Sequence, residues 1–352
     1  MKALFVSLPA SPKKPNALAA MIAVFALGCT TLAPSSAQAM DEAAALTPIA
    51  QAAQELRADY RLLQWKRLAQ KSDRDSLIAA VLLGMANDEN PAPIEGHAEV
   101  GRRLAEGFGN DPLVLFTLAL ACQRQADACA NRRHYDELVR IDPDNAVNWL
   151  LLPNDANPGD AQLHAAAVAG EADTHLRDML GFVRAALADQ PAPATRPDID
   201  PRELALLLRR GAADQVPMPQ FRGAIEVCKG AVAQRRDDCI GLGRRLQADR
   251  SGSIVSIMVG NVLLRRLMKG SPEDSAAKQS RAQYVWMGEQ LEASTAPYQE
   301  QLQDEVVAFG EWEAVQRSVE RIGTARTPSS SWVPKDPQTL LMSEERTPAA
   351  AK

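Results

Sequence analysis

Apolar residues recur along this chain at three- and four-residue spacing, which gathers them on one face of an α-helix. Glycine and proline fall between the periodic segments, and no stretch alternates apolar and polar residues as a strand would. Two runs, PLVLFTLALAC (Pro112 to Cys122) and IVSIMVGNVLLRRL (Ile254 to Leu267), are apolar on most of their circumference. That is the pattern of a helix packed between neighbours on both sides. Toward the end, Leu302, Val306, Phe309, Trp312, Val315, Val319 and Ile322 mark one face of a long helix closed by Gly323. The pattern predicts an all-α fold.

One short stretch, LVRIDPDNAVNWLLL (Leu138 to Leu152), reads as two helices and the turn between them. Tyr135, Leu138 and Ile141 lie on one face of a helix begun near Ala130. Asp142-Pro143 ends it, because proline disfavours helix at the residue before it. Asp144 or Asn145 can then cap a helix starting at Ala146. The same order of leucine, capping residue at +7 and apolar residue at +9 recurs three times. It fits Leu68, Asp75 and Leu77, then Leu104, Asp111 and Leu113, and later Leu246, Ser253 and Val255. The leucines, with Leu138, are spaced by 36, 34 and 108 residues, so a period of 34 to 36 built from paired helices is expected.

This junction resembles that of tetratricopeptide (TPR) repeats: an apolar helix end, Asp-Pro, an Asn, then a helix bearing an aromatic. The resemblance covers about Leu63 to Leu152, with a fainter echo from Leu242 to Leu267, and the family's Gly and Tyr positions after Trp149 are not matched. It implies a TPR-like solenoid of helical hairpins, or an irregular α-superhelix, that holds a partner on its concave face. On that reading the helices after Asp75, Asp111 and Asn145 line the groove. Asn148 is then a binding residue, while Leu113 and Leu150 serve packing.

Composition divides the chain further. A basic start (Lys2, Lys13, Lys14), an apolar run of 11 residues from Leu18 to Gly28, and small residues Ala37 and Ala39 describe a signal peptide over residues 1–39. That run is shorter than the ~20 residues of a membrane-spanning helix. Cleavage after Ala39 is the reading adopted; the rival is a lipid anchor at Cys29, in ALGC, where the leucine and small residue stand in reversed order. A TPR-like region over 40–189 and a second helical region over 202–325 flank the proline-rich segment 190–201, which reads as a hinge. Residues 326–352 read as a disordered tail.

The whole chain carries a formal charge of −5. Loss of residues 1–39 removes three lysines and no acid, taking it to about −8. Such a balance opposes binding to nucleic acid, which needs clustered cations to displace counterions. An oxidising compartment fits the even number of cysteines left after Cys29. Cys122 with Cys129, and Cys228 with Cys239, each flank one helix turn and are expected to form two disulfides. Zinc on Cys122, Cys129 and His134 fits no common spacing. A periplasmic or secreted location follows.

Candidate chemistry is sparse. Ser275 and Lys278 match the S-x-x-K of serine acylases without the accompanying S-D-N or K-T-G elements. Asp160 with His164, and His175 with Asp178, share helix faces and can contribute to a metal site. Gly107/Gly109 and Gly241/Gly243 lack the strand and third glycine of a dinucleotide site. Arg209–Arg210, Arg244–Arg245 and Arg265–Arg266 read as solvated helix edges. No catalytic, cofactor or metal residue is assigned. The sequence favours an exported noncatalytic binding or scaffold protein whose helical groove takes a peptide, protein or cell-wall partner. The alternative is a secreted hydrolase of the cell wall that works through a pair of carboxylates.

Overall fold

The computed structural model describes residues 47–86, 92–124, 133–153, 156–193, 199–230, 232–293 and 299–346. The signal segment, Cys29, Cys129 and the helix start expected at Ala130 lie outside them. Fourteen α-helices and no strand occur among the described residues. They are α1 (Pro48–Ala69), α2 (Arg74–Gly84), α3 (His97–Phe108), α4 (Pro112–Arg124), α5 (Arg133–Ile141), α6 (Asp160–Val168) and α7 (Leu176–Leu187). After them come α8 (Pro201–Ala213), α9 (Arg222–Lys229), α10 (Ala233–Gln247), α11 (Ile254–Leu267), α12 (Pro272–Ala293), α13 (Gln299–Phe309) and α14 (Glu311–Arg321). No described helix is long and apolar enough to cross a membrane.

Helix starts follow local chemistry. Asp73, not Asp75, caps α2 by accepting the Ser76 amide at 2.9 Å. Asp111 caps α4 as expected, its Oδ1 taking the amides of Leu113 (2.9 Å) and Val114 (3.2 Å), with Pro112 where a missing N–H costs nothing. Every residue of α2 from Leu77 to Gly84, and of α4 from Val114 to Gln123, is buried. Arg61 of α1 closes the far end of α2, donating to the carbonyls of Leu83 (2.6 Å) and Met85. Carbonyls at a helix end have no intrahelical partner, so this buried guanidinium is a cap supplied by another helix.

Packing joins distant parts of the chain. α2 touches α1, α3, α4 and α7; α1 touches α8; α7 touches α8 and α13. α10 packs on α6 and α11, and α11 on α12. Contacts are therefore not confined to neighbouring hairpins. One continuous apolar core includes Tyr60, Phe116, Leu138, Leu204, Leu242 and Leu302.

Four expectations are corrected here. No α-helix follows Asn145: the chain makes a lone parallel bridge, Asn145 to Glu171, and a 3-10 turn over Asn148–Leu150. The long C-terminal helix is broken at Gly310 (φ +88°), where the chain must pass Ser251: a Cβ there would lie 2.5 Å from the Ser251 carbonyl oxygen. Residues 190–201 do not divide the core, since α8 returns to α1 and Ile199 is buried. Residues 326–346 are not a free tail but an ordered strap on α11 and α12, held by the contacts described below.

Candidate functional site

Several residues singled out by the sequence have structural partners. Asn148, expected to face a ligand, is fully buried. Its amide donates to the Asp142 carbonyl (2.8 Å) and carboxylate (2.7 Å), closing the turn after α5. The helices after Asp75 and Asp111 are buried around their circumference, so they line no groove. Leu113 is half-buried and Leu150 buried. Ser275 donates to the Ser271 carbonyl at 3.2 Å, and Lys278 pairs with Asp274 at 2.8 Å. His164 and Asp160 both turn to α10, meeting Asp238 (2.9 Å) and Arg235 (2.5 Å). Gly243 is a packing position, because an added Cβ would lie 3.2 Å from Leu263 and Leu264 of α11.

Cys228 and Cys239 are bonded, with sulfurs 2.06 Å and Cα atoms 5.7 Å apart, and tie α9 to α10. Cys122 is also disulfide-bonded. No group of three metal-ligating side chains converges among the described residues.

Two constellations escaped the sequence reading. The first is a polar junction where the loops 169–175 and 248–253 meet the start of α14. Arg250 N donates to the Ala172 carbonyl (2.7 Å), Trp312 N to the Gly252 carbonyl (2.9 Å), and Ser251 Oγ to Asp173. Glu311 reaches across to accept the Ile254 amide at 2.8 Å, capping α11 in place of Ser253. Burial pushes the Glu311 carboxyl up to about 7, with the Asp249 charge adding to it and the amide opposing. Burial likewise pushes Asp249 up to about 6, with Asp173 adding. Within α7's first turn, His175 sits at φ +51°, edge-on to Phe116 with ring centres 4.7 Å apart. Burial lowers its pKa, but Asp178, Asp173 and Asp142 outweigh that and leave it raised.

The second constellation is the face of α11 and α12 beneath the strap. Arg265 is 7% exposed and donates to the Leu340 carbonyl (2.9 Å) and to Glu345 (2.8 Å). Beside it, Arg266 pairs with Glu344 at 2.5 Å. From α12, Arg281 donates to the Thr339 carbonyl (2.8 Å), Gln283 to that of Arg326 (3.2 Å) and Trp286 to that of Ala325 (3.0 Å). At the other end Glu289 accepts the Lys335 amide (2.6 Å) and the Trp332 indole (3.2 Å), and Glu292 meets Lys335 at 3.1 Å. Trp332 stands edge-on to Trp286 with ring centres 5.7 Å apart. Burial, with Arg346 and Arg265 as neighbouring cations, lowers the Arg281 pKa. The face is thus bipolar: basic toward α11, acidic toward the end of α12. The only sequence trace was a pair of arginines and a pair of glutamates of opposite sign, far apart in the chain.

A third feature is a depression of about 350 Å³ lined by Leu152, Pro153, Ala156, Asn157, Gly159 and Gln162. Among the described residues, no charged side chain lines it.

No family model, curated protein or solved structure matches this chain.

Proposed function

We propose that this chain is an exported, noncatalytic binding protein whose partner is a protein or peptide, engaged on the outer face of α11 and α12. The observation that carries the reading is the way that face holds residues 324–346. Four of its helical side chains donate to main-chain carbonyls of the strap, two of them in the 3-10 turn Pro337–Leu340, and Glu289 accepts a main-chain amide. Contacts to main-chain atoms recognise a chain largely without regard to its side chains, while charged groups at either end add selectivity. The disulfide between α9 and α10 supports export, since such bonds persist in oxidising compartments.

Affinity capture tests the reading. The exported fraction of the native cell, passed over the mature chain, should yield a partner that is lost when Arg265 and Arg281 are both changed to Ala. Retention of that partner by the double variant would move the site elsewhere.

A second reading, a carboxylate hydrolase, draws on Asp249 and Glu311, two acids whose pKa values burial raises, the Asp249 charge adding to the rise at Glu311. Proton-holding acids of this kind serve as general acids when substrate reaches them. In this fold Glu311 is committed to the Ile254 amide, so the binding reading is preferred. Cell-wall digestion abolished by Asp249→Asn would reverse that preference.

A further inference from the structure

We propose that residues 324–346 are a built-in competitor: they occupy a peptide-binding face that otherwise takes a segment of a partner with the same arrangement of groups. The inference rests on the binding reading above and adds the partner's chemistry and the regulation of the site.

Three observations support exchange. First, the strap is held largely through its main chain, two of the contacts falling in the 3-10 turn Pro337–Leu340. The carbonyls of Ala325, Arg326, Thr339 and Leu340 and the amide of Lys335 are its main-chain contacts. Second, little apolar surface anchors it. Pro334 is buried, but Trp332, Leu340, Leu341 and Met342 are only half-buried, Val333 is 72% exposed, and the 3-10 turn Pro337–Leu340 has no buried residue. A segment with few buried apolar contacts opens at low cost while the rest of the fold stays intact. Third, the face beneath it is complete without the strap. α11 and α12 pack on each other, and Met258 and Met287 are buried within the helices around them.

Complementarity defines the partner. Reading from its N-terminal side, the segment needs an aromatic residue to meet Trp286 and Glu289. Next comes a basic residue for Glu289 and Glu292, and then, nine or ten residues on, a pair of carboxylates for Arg266 and Arg265. Trp332, Lys335, Glu344 and Glu345 fill those places now. The arginines demand the acidic end most strongly: Arg265, Arg266 and Arg281 gather on one side, and an extended segment without carboxylates there leaves their charge uncompensated.

Gly323 supplies the pivot. At φ +77° it ends α14 in a conformation natural to glycine, and an added Cβ would meet nothing within 4 Å. The strap leaves α14 at this glycine, Arg326 pairs back with Glu313 (3.0 Å) and Glu320 (2.7 Å) of α14, and the part that exchanges is the chain beyond it.

The experiment uses the full chain and a fluorescein-labelled synthetic peptide of residues 324–346. In the wild type the tethered strap holds the face at high effective concentration, so the peptide should bind weakly. Glu344→Lys with Glu345→Lys, which sets lysines against Arg266 and Arg265, should release the strap. It should raise peptide affinity about tenfold or more. Adding Arg265→Ala and Arg281→Ala to the released variant should abolish binding, and a peptide with both glutamates changed to Lys should not bind even the released variant. Circular dichroism must show the same helix content in each variant. Equal affinity for wild type and released variant, or none for either well-folded form, overturns the inference. If the released variant binds the peptide but affinity capture yields no partner, the binding reading fails by itself. If a partner is captured and the peptide is not bound, only the competitor model fails.

Discussion

Glu311 is half-buried as a residue, with its carboxyl turned inward to the first amide of α11. Its pKa rises from 4.5 to about 7 on folding, and that of Asp249 from 3.8 to about 6. An acid whose pKa is raised by folding stabilises the fold when protonated. The contribution is complete below the unfolded value and is lost as pH climbs through the folded one. His175, also raised, has the same sign. Stability should accordingly fall between about pH 4.5 and 7. Below pH 4 the opposite group takes over, since Asp73, Asp111 and Asp178 have lowered pKa values and lose their contribution on protonation. Glu311→Gln keeps the acceptor for Ile254 without the charge. Urea melts of this variant should show a gain on the order of 1–3 kcal/mol at pH 8 and almost none at pH 4.5. A parallel offset at both pH values would mean that Glu311 does not titrate in this range.

Asn148 argues the other way. An Asn three residues past the expected cap Asn145 looks like a surface contact, and the residue type gives no sign of burial. What buries it is the loop 169–175, whose backbone pairs with Asn145 and Asp144. No local pattern announces a partner that arrives from 25 residues later. Asn148→Ala strips a fully buried turn of two hydrogen bonds and should cost about 1–3 kcal/mol by denaturant unfolding. Asn148→Arg should fail to fold at 37 °C, and a soluble Arg variant of native stability would place this side chain at the surface after all.

At the scale of elements, most helices were legible, because apolar spacing and caps are local. Asp111 and Pro112 open α4 as read, and the runs from Pro112 and Ile254 are buried helices. The breaks were less visible. Apolar spacing continues unbroken from Leu302 to Ile322, yet Gly310 turns the chain because Ser251 stands in its path. Its φ of +88° and ψ of 160° belong to a region that residues with a Cβ essentially do not enter. Gly310→Ala should cost about 1–3 kcal/mol or more, from backbone strain and from contact with the Ser251 carbonyl. Gly107, exposed within α3 and with nothing near its Cβ position, is the control: Gly107→Ala should instead stabilise by about 0.4–1 kcal/mol. Thermal melts separate the two cases, and similar small effects at both glycines would mean that α13 and α14 are a single helix in solution.

At the scale of the molecule, the sequence divides where the structure joins. Four prolines within residues 189–201 look like a hinge. The helices on either side nevertheless share a core, and buried polar contacts cross the divide. Gln123, 2% exposed, donates to the Leu150 carbonyl (3.1 Å) and the Gln220 carbonyl (2.7 Å), and its Oε1 accepts the Gln220 amide (2.8 Å). Arg124 of α4 donates to the Met218 carbonyl at 3.1 Å, and Arg177 of α7 to the Val307 carbonyl of α13 at 3.0 Å. Such contacts couple the two regions, because opening either exposes donors and acceptors buried in the other. Unfolding should therefore be one cooperative event. Amides of α2 and α11 should exchange with deuterium through the same global opening, at the same denaturant midpoint. Gln123→Leu removes the bridge and leaves backbone groups of Leu150 and Gln220 unpaired, so it should cost about 2–4 kcal/mol, one to two groups' worth of lost hydrogen bonding. Because the apolar core still spans both sides, the midpoints of α2 and α11 should shift down together. Separate midpoints in the wild type would restore the hinge. Separation only in Gln123→Leu would show that this one glutamine, rather than the shared core, holds the regions to a common transition.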